Sequence, residues 1–210
     1  FEILDENDNK IKYQVLSTNK ANAPIIQNPN DTANVLHTEQ YLVAAEVADI
    51  PAMGYKTLKV RPLYNVRATT PVTLVKTTNV MENEYLKVSF NHNGTYNFID
   101  KENGKEYKHL GYFKDSGEIG NPWQHVAPEC DETFTTLGEQ ANVTLLRHGE
   151  FETTYKITMR WELPEKRAFD EKSRSEHKLP VDIESLVTLR KGAKFVEIET
   201  TINNRCEDHY

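Results

Sequence analysis

The chain is poor in cysteine: Cys130 and Cys206 are the only two in 210 residues, and neither has a CxxC partner. That spacing builds neither a thiol redox motif nor a four-cysteine zinc site, and it argues against a disulfide scaffold. Long apolar runs are missing as well; no stretch approaches the ~20 residues of a membrane helix, so no membrane partner is expected. Basic stripes are missing too. Lys+Arg total 25 against 32 Asp+Glu, a formal charge of −7, which gives no electrostatic basis for holding a phosphate backbone, and nucleic acid is not expected. There is no GxSxG elbow, P-loop or GxGxxG turn for the usual serine hydrolases or for nucleotide chemistry. The first residues, Phe1-Glu-Ile-Leu-Asp-Glu-Asn, contain no initiator Met, basic n-region or apolar h-region. A cytoplasmic location is the resulting expectation. The last segment breaks off just after a strong strand pattern, so the chain reads as a piece of something longer.

Helical periodicity is also scarce. No window longer than about a dozen residues keeps apolar positions at i, i+3, i+4 and i+7, whereas period-two runs recur between Asn, Gly, Asp and Pro clusters. With 38% hydrophobic and 10% aromatic residues there is enough apolar material for a core, and the expected class is all-β. Ile11 to Val15, Tyr41 to Ala48 and Lys56 to Arg61, the last preceded by a turn at Pro51 to Tyr55, predict a small β-sandwich over residues 1–79. Asn65 to Thr78, rich in Thr and carrying Pro71, predicts an extended crossing into a second β domain over residues 80–210. There Leu86, Val88 and Phe90 alternate with polar residues, and Asn93-Gly94 supplies two residues tolerant of positive φ for a hairpin turn. Tyr96 and Phe98 lie on the return strand, and Asn103-Gly104 predicts the next turn. Longer strands are predicted at 143–146, 154–163, 181–189 and 196–202, with a Lys191-Gly192 turn before the last. The charged stretch Glu165 to Lys178, without β-branched residues, reads as a mobile surface loop.

Chemistry concentrates where alternation fails, in Lys114-Asp-Ser-Gly-Glu-Ile-Gly-Asn-Pro-Trp-Gln-His-Val-Ala-Pro-Glu-Cys-Asp-Glu. The candidates for a substrate cleft are Asp115, Glu118, Asn121, Trp123, Gln124, His125 and Asp131. An indole offers an apolar platform to the C–H face of a sugar ring, while amides and carboxylates pair with hydroxyls. The alternative is a long loop whose Trp plugs the end of the sandwich and whose acids are solvated. A glycosidase pair inside this chain needs carboxyls about 5 Å or roughly 6.5–9.5 Å apart, which spacing in an irregular loop does not establish. His125, Cys130 and Asp131 match no metal-ligand signature, so no metal and no cofactor are expected here. Asn30-Asp-Thr, Asn93-Gly-Thr and Asn142-Val-Thr fit the glycosylation sequon, as chance alone also produces.

Four blocks carry a resemblance: Met81-Glu-Asn-Glu-Tyr-Leu-Lys-Val-Ser-Phe-Asn-His-Asn-Gly-Thr, Asp100-Lys-Glu-Asn-Gly-Lys-Glu-Tyr, Asp115-Ser-Gly-Glu-Ile-Gly-Asn-Pro-Trp-Gln-His, and Val187 to Asn204 followed by Asp208-His209. Together and in this order they resemble the C-terminal β region of glycoside hydrolase family 38, the α-mannosidases. The likeness covers about residues 80–210; residues 1–79 are matched on position more than on motif. It implies a galactose-mutarotase-like supersandwich, incomplete here, whose loops help wall an active-site cleft. It also implies a retaining exo-α-mannosidase acting on mannose-containing oligosaccharides, whose zinc or other divalent metal and nucleophilic Asp sit in an N-terminal barrel. No His-x-Asp metal motif with the rest of that ligand set occurs in this chain, so no catalytic residue is assigned to it. Alone, the chain is expected to be catalytically silent. Its implied partners are the barrel and the oligosaccharide, with homo-oligomerisation of the whole enzyme left open. Two rivals remain: a stand-alone carbohydrate-binding module, and a mutarotase-like aldose epimerase drawing a general acid from His92, His109, His125 or His148.

Overall fold

A computed structural model describes residues 1–25, 30, 34–64, 72–121 and 123–210. Asp31 and Thr32 of the first sequon, residues 65–71 of the expected crossing, and Pro122 lie outside the described residues. The described chain is all-β. Its elements in order are β1 (Glu2–Leu4), β2 (Lys10–Ile11), β3 (Tyr13–Ile25), β4 (Asn34–Ala45), β5 (Lys59–Arg61), β6 (Val75–Thr77), β7 (Val80–Glu82), β8 (Leu86–Phe90), β9 (Tyr96–Asp100), β10 (Glu106–Leu110), β11 (Lys114–Asp115), β12 (Phe134–Thr135), β13 (Asn142–Arg147), β14 (Glu152–Pro164), β15 (Lys178–Arg190) and β16 (Glu197–Asn203). A single 3₁₀ turn, Thr136–Gly138, is the one helical element among the described residues.

Two compact units divide the chain: Phe1–Val72 with Gly149–Phe151, and Thr73–His148 with Glu152–Tyr210. In the first unit β1 is the centre of a three-stranded antiparallel sheet, with β2 on one side and the Lys59–Arg61 strand on the other. β3 and β4 pair with each other as a two-stranded ribbon, from Tyr13↔Ala45 to Ile25↔Asn34, with a bulge at Leu16. Both faces of the ribbon carry exposed residues, which is why its sequence lacks sustained alternation. The turn expected at Pro51 to Tyr55 forms, closed by the Gly54 amide on the Pro51 carbonyl at 3.0 Å.

The second unit holds the main core. Its five-stranded sheet runs β10-β9-β8-β7-β6 and its four-stranded sheet β13-β14-β15-β16, both antiparallel. β6 pairs with β7, so the meander begins at Val75. Strict alternation sends Val88 and Phe90 from the first sheet, and Tyr155, Ile157, Trp161, Ile183 and Val187 from the second, into one cluster of buried side chains. Phe90 packs on Tyr155 with ring centroids 4.5 Å apart. Each such fully buried side chain stabilises the fold by about 1.5–3 kcal/mol relative to exposure.

Polar ties lock this meander. The buried Asn83 side chain donates to the carbonyls of Arg190 (2.7 Å) and Ala193 (2.8 Å), while its oxygen accepts from the amides of Tyr85 and Leu86. The β8–β9 connection differs from a two-residue turn. It spans Asn91 to Thr95, closed by the Asn91 amide on the Thr95 carbonyl, with Gly94 alone at positive φ (+80°). Asn93 acts through its side chain instead: its oxygen accepts from the Thr95 amide and hydroxyl, and its amide donates to the Leu137 carbonyl. A type I turn followed by a left-handed residue needs glycine at that one position only.

Candidate functional site

The loop that breaks alternation starts from a buried acid. β11 places Asp115 against β12, in register with Phe134. Its side chain points inward, leaving the residue 3% exposed. One carboxylate oxygen pairs with Arg174 Nη1 at 2.5 Å and the other with His209 Nδ1 at 2.5 Å. The Arg174 guanidinium lies over the Phe134 ring, 5.4 Å from its centroid. His209 Nε2 faces the Asn204 side-chain nitrogen at 3.0 Å, and the Asn204 oxygen accepts the Cys206 amide, also at 3.0 Å. Because that oxygen is taken, the Asn204 amide donates to Nε2, and the imidazole carries its proton on Nδ1 toward Asp115.

Beyond Asp115 the chain lies beside residues 208–210, joined through an isolated β-bridge between Gly117 and His209. The Ser116 amide donates to the Tyr210 carbonyl, the Tyr210 amide to the Ser116 carbonyl, and the Glu118 amide to the Asp208 carbonyl, at 3.0, 2.8 and 2.9 Å. A small hairpin follows. The Ile119 amide donates to the Val126 carbonyl, and Asn121 and Gln124 exchange both backbone hydrogen bonds at 3.1 Å. The Asn121 side chain accepts the Trp123 amide. Glu118 fills the inside of the bend: its carboxylate accepts from the amides of Gly120 (2.5 Å) and Val126 (3.0 Å) and pairs with His125 Nδ1. These contacts, the Val126 amide first and then the imidazole, hold the Glu118 carboxyl down at about 2. His125 packs on the Tyr210 ring, centroids 4.7 Å apart.

This geometry sorts the residues nominated from sequence. Trp123 stands at the hairpin tip, 91% exposed, and plugs nothing. Asn121, Gln124 and His125 share its hairpin, with Gln124 and His125 exposed. Asp131 accepts the Gly117 amide at 2.9 Å, and Asp115 is committed to Arg174 and His209, so both serve the loop's own fold. A carboxyl held at about 2 stays ionised at neutral pH, so Glu118 lacks the proton that a glycosidase general acid must give. Among the described residues no three His, Cys, Asp or Glu side chains gather to hold a metal ion.

Arg174, Asn204, His209 and Tyr210 complete the site and were not nominated. Arg174 belongs to the stretch read as a mobile surface loop, yet that stretch is pinned. Isolated backbone β-bridges pair Cys130 with Ser173 and Arg167 with Arg174, and the Ser175 amide donates to the Lys166 carbonyl at 2.8 Å. A lone Arg in a charged run gives no sequence signal that it turns inward. The Asp208-His209 pair was visible as part of a block, without its contact to Asp115.

The fold and the loop define a β-sandwich domain that presents one aromatic hairpin. The family model for the glycosyl hydrolases family 38 C-terminal domain matches residues 81–209. The chain therefore belongs to glycoside hydrolase family 38. A protein of Halalkalibacterium halodurans named "Putative mannosylglycerate hydrolase" is 29% identical over 145 residues, covering 62% of this chain and 16% of that protein. Two solved structures share the fold at 24% identity: an alpha-mannosidase from Enterococcus faecalis V583 (TM-score 0.74) and a family 38 protein from Enterococcus faecalis (TM-score 0.75). Each aligns with 99% of this chain, which spans 25% and 26% of their lengths.

Proposed function

We propose that this chain is the non-catalytic C-terminal β region of a retaining, metal-dependent exo-α-mannosidase, and that it scaffolds and borders the active site of a barrel outside this chain. The whole enzyme removes terminal α-mannosyl residues from oligosaccharides. On this reading the small β domain expected over residues 1–79 is the first compact unit, and the supersandwich expected over residues 80–210 is the second, which also takes in β6 from Val75. The observation that carries the role is Trp123: an almost fully exposed indole on a hairpin tied internally by Glu118 and Asn121, in a chain of this family. A solvent-facing indole suits the C–H face of a hexose. Further support comes from β16. Ile198 and Ile202 pair across from Val187 and Ile183, on the core-facing side of the sheet, yet are 51% and 48% exposed, as befits a sheet that a larger domain continues to cover. Both cysteines are free, which fits a reducing compartment such as the cytoplasm.

The test uses the whole enzyme. Aryl α-mannosides and mannosylglycerate, the latter chosen from the relative's name, are assayed with and without zinc. Trp123→Ala is expected to lower kcat/KM about tenfold, since stacking of this kind contributes about 1–1.5 kcal/mol, with the melting temperature unchanged. Full activity in that variant would remove Trp123 from the cleft. Metal-dependent hydrolysis by the 210-residue chain alone would overturn the non-catalytic assignment.

A further inference from the structure

The structure assigns Asp115 and His209 as positioning residues for the Trp123 hairpin, a latch that sets where the indole is presented. The assignment rests on the reading of that hairpin as a cleft border. Asp115 is placed by its burial: a carboxylate with one oxygen on Arg174 and the other on His209 has no face to offer a sugar. His209 is placed by its tautomer, because Nε2 accepts from Asn204 and leaves no free lone pair for base chemistry.

What these two groups do follows from where the loads fall. The hairpin from Ile119 to Val126 is tied within itself by the Ile119–Val126 and Asn121–Gln124 backbone bonds and by Glu118, so it moves as one body. Its direction is decided at the base, where residues 116–118 lie against residues 208–210. Three backbone hydrogen bonds join that base, and so short a two-stranded pairing is marginal by itself. The side chain of His209, opposite Gly117 in this pairing, reaches past it to Asp115, and Arg174 holds Asp115 from the other side. One carboxylate thus gathers three segments that are distant in sequence. The stack of His125 on Tyr210 depends on the same segment staying seated. Release of His209 therefore loosens two supports of the hairpin at once and leaves the Gly117–Asp131 bond as the remaining tie at its base.

Amide hydrogen exchange on the purified chain tests this without any sugar, so it fails or stands separately from the mannosidase reading. In His209→Ala, the amides of residues 116–121 and 123–126 are expected to exchange about tenfold faster, as expected for a locally opened segment, while those of β14 and β15 keep their wild-type rates. Asp115→Asn, which keeps an acceptor for His209 but loses the charge facing Arg174, is expected to accelerate the same segment. Unchanged exchange of those amides in both variants overturns the latch. So does, in His209→Ala, which leaves the Asp115–Arg174 pair intact, equal acceleration in β14 and β15 or failure to fold, because a positioning group is dispensable to the core.

Discussion

Arg174 Nη1 sits 2.5 Å from Asp115 Oδ2, and both side chains are only 4% exposed. Two further donors of Arg174, Nε and Nη2, are buried without a hydrogen-bond partner among the described residues. Desolvating a guanidinium that uses so few of its donors offsets much of the Coulomb attraction, so the pair fixes geometry more than it adds stability. Removing one partner is a different matter, because it leaves a buried charge facing nothing of opposite sign.

Arg174→Met is accordingly expected to destabilise the chain by about 3–5 kcal/mol. Asp115→Asn combined with Arg174→Met should recover more than half of that loss. Urea unfolding of the two single variants and the double variant measures the coupling as a mutant cycle. Additive losses would mean that the two groups do not act as a pair.

The strands with one buried face were readable because the physics that forms them is local. β14 and β15 alternate over most of their lengths, with Tyr155, Ile157, Met159, Trp161 and Leu163 inward, and period two appears directly in the sequence. The β3–β4 ribbon was not readable at its true length. Both its faces meet solvent, so Lys20, Asn22 and Pro24 sit in a strand without an apolar beat. The chemistry-bearing loop was legible as residue types in an irregular stretch. Which acid turns inward was not, because Asp115 is buried by partners 59 and 94 residues away, and nothing in a single sequence reports that distance closing.

Two glycines with left-handed backbones separate the cost of conformation from the cost of space. Gly104 (φ +71°) has no heavy atom within 4 Å of an added Cβ, whereas at Gly94 (φ +80°) that atom would meet Met159, Ala141 and Ile157 at 2.8–2.9 Å. Gly104→Ala is expected to cost about 1–2 kcal/mol, the left-handed penalty alone. Gly94→Ala adds overpacking of about 1–3 kcal/mol. Thermal melts of the two variants should rank them in that order, and equal costs would show that the core below Gly94 yields freely.

The hairpin's acid predicts a pH window. Glu118 titrates at about 2 in the folded chain against an ordinary 4.5. A group whose folded value is depressed gives stability that is fully present above the unfolded value and is lost as pH falls through the folded one. The contribution of Glu118 to the ordering of the hairpin should therefore be constant from neutral pH down to about 4.5 and weaken between there and about 2. Carbon-13 NMR titration of the Glu118 carboxyl measures the midpoint, and an ordinary midpoint near 4.5 would break the case for its amide cradle. Glu118→Gln should remove the acid-dependent change while leaving exchange in β14 untouched.

The chain's two indoles offer the sharpest contrast between presentation and packing. Trp161 lies in β14, 4% exposed and part of the core cluster, while Trp123 stands 91% exposed at the hairpin tip. Truncating a large buried aromatic removes its transfer free energy and leaves a cavity, a loss of about 3–5 kcal/mol. Truncating an exposed one normally changes stability by less than about 0.5 kcal/mol. Trp161→Ala should thus lower the melting temperature by many degrees, or prevent folding, and Trp123→Ala should leave it within about two degrees of wild type. The fluorescence of the chain tells the same two sites apart: Trp123→Ala removes the red-shifted, readily quenched emission and leaves the blue-shifted emission of Trp161. A Trp123→Ala chain that melts several degrees lower would show that the indole packs against something in solution and is not held out as a platform.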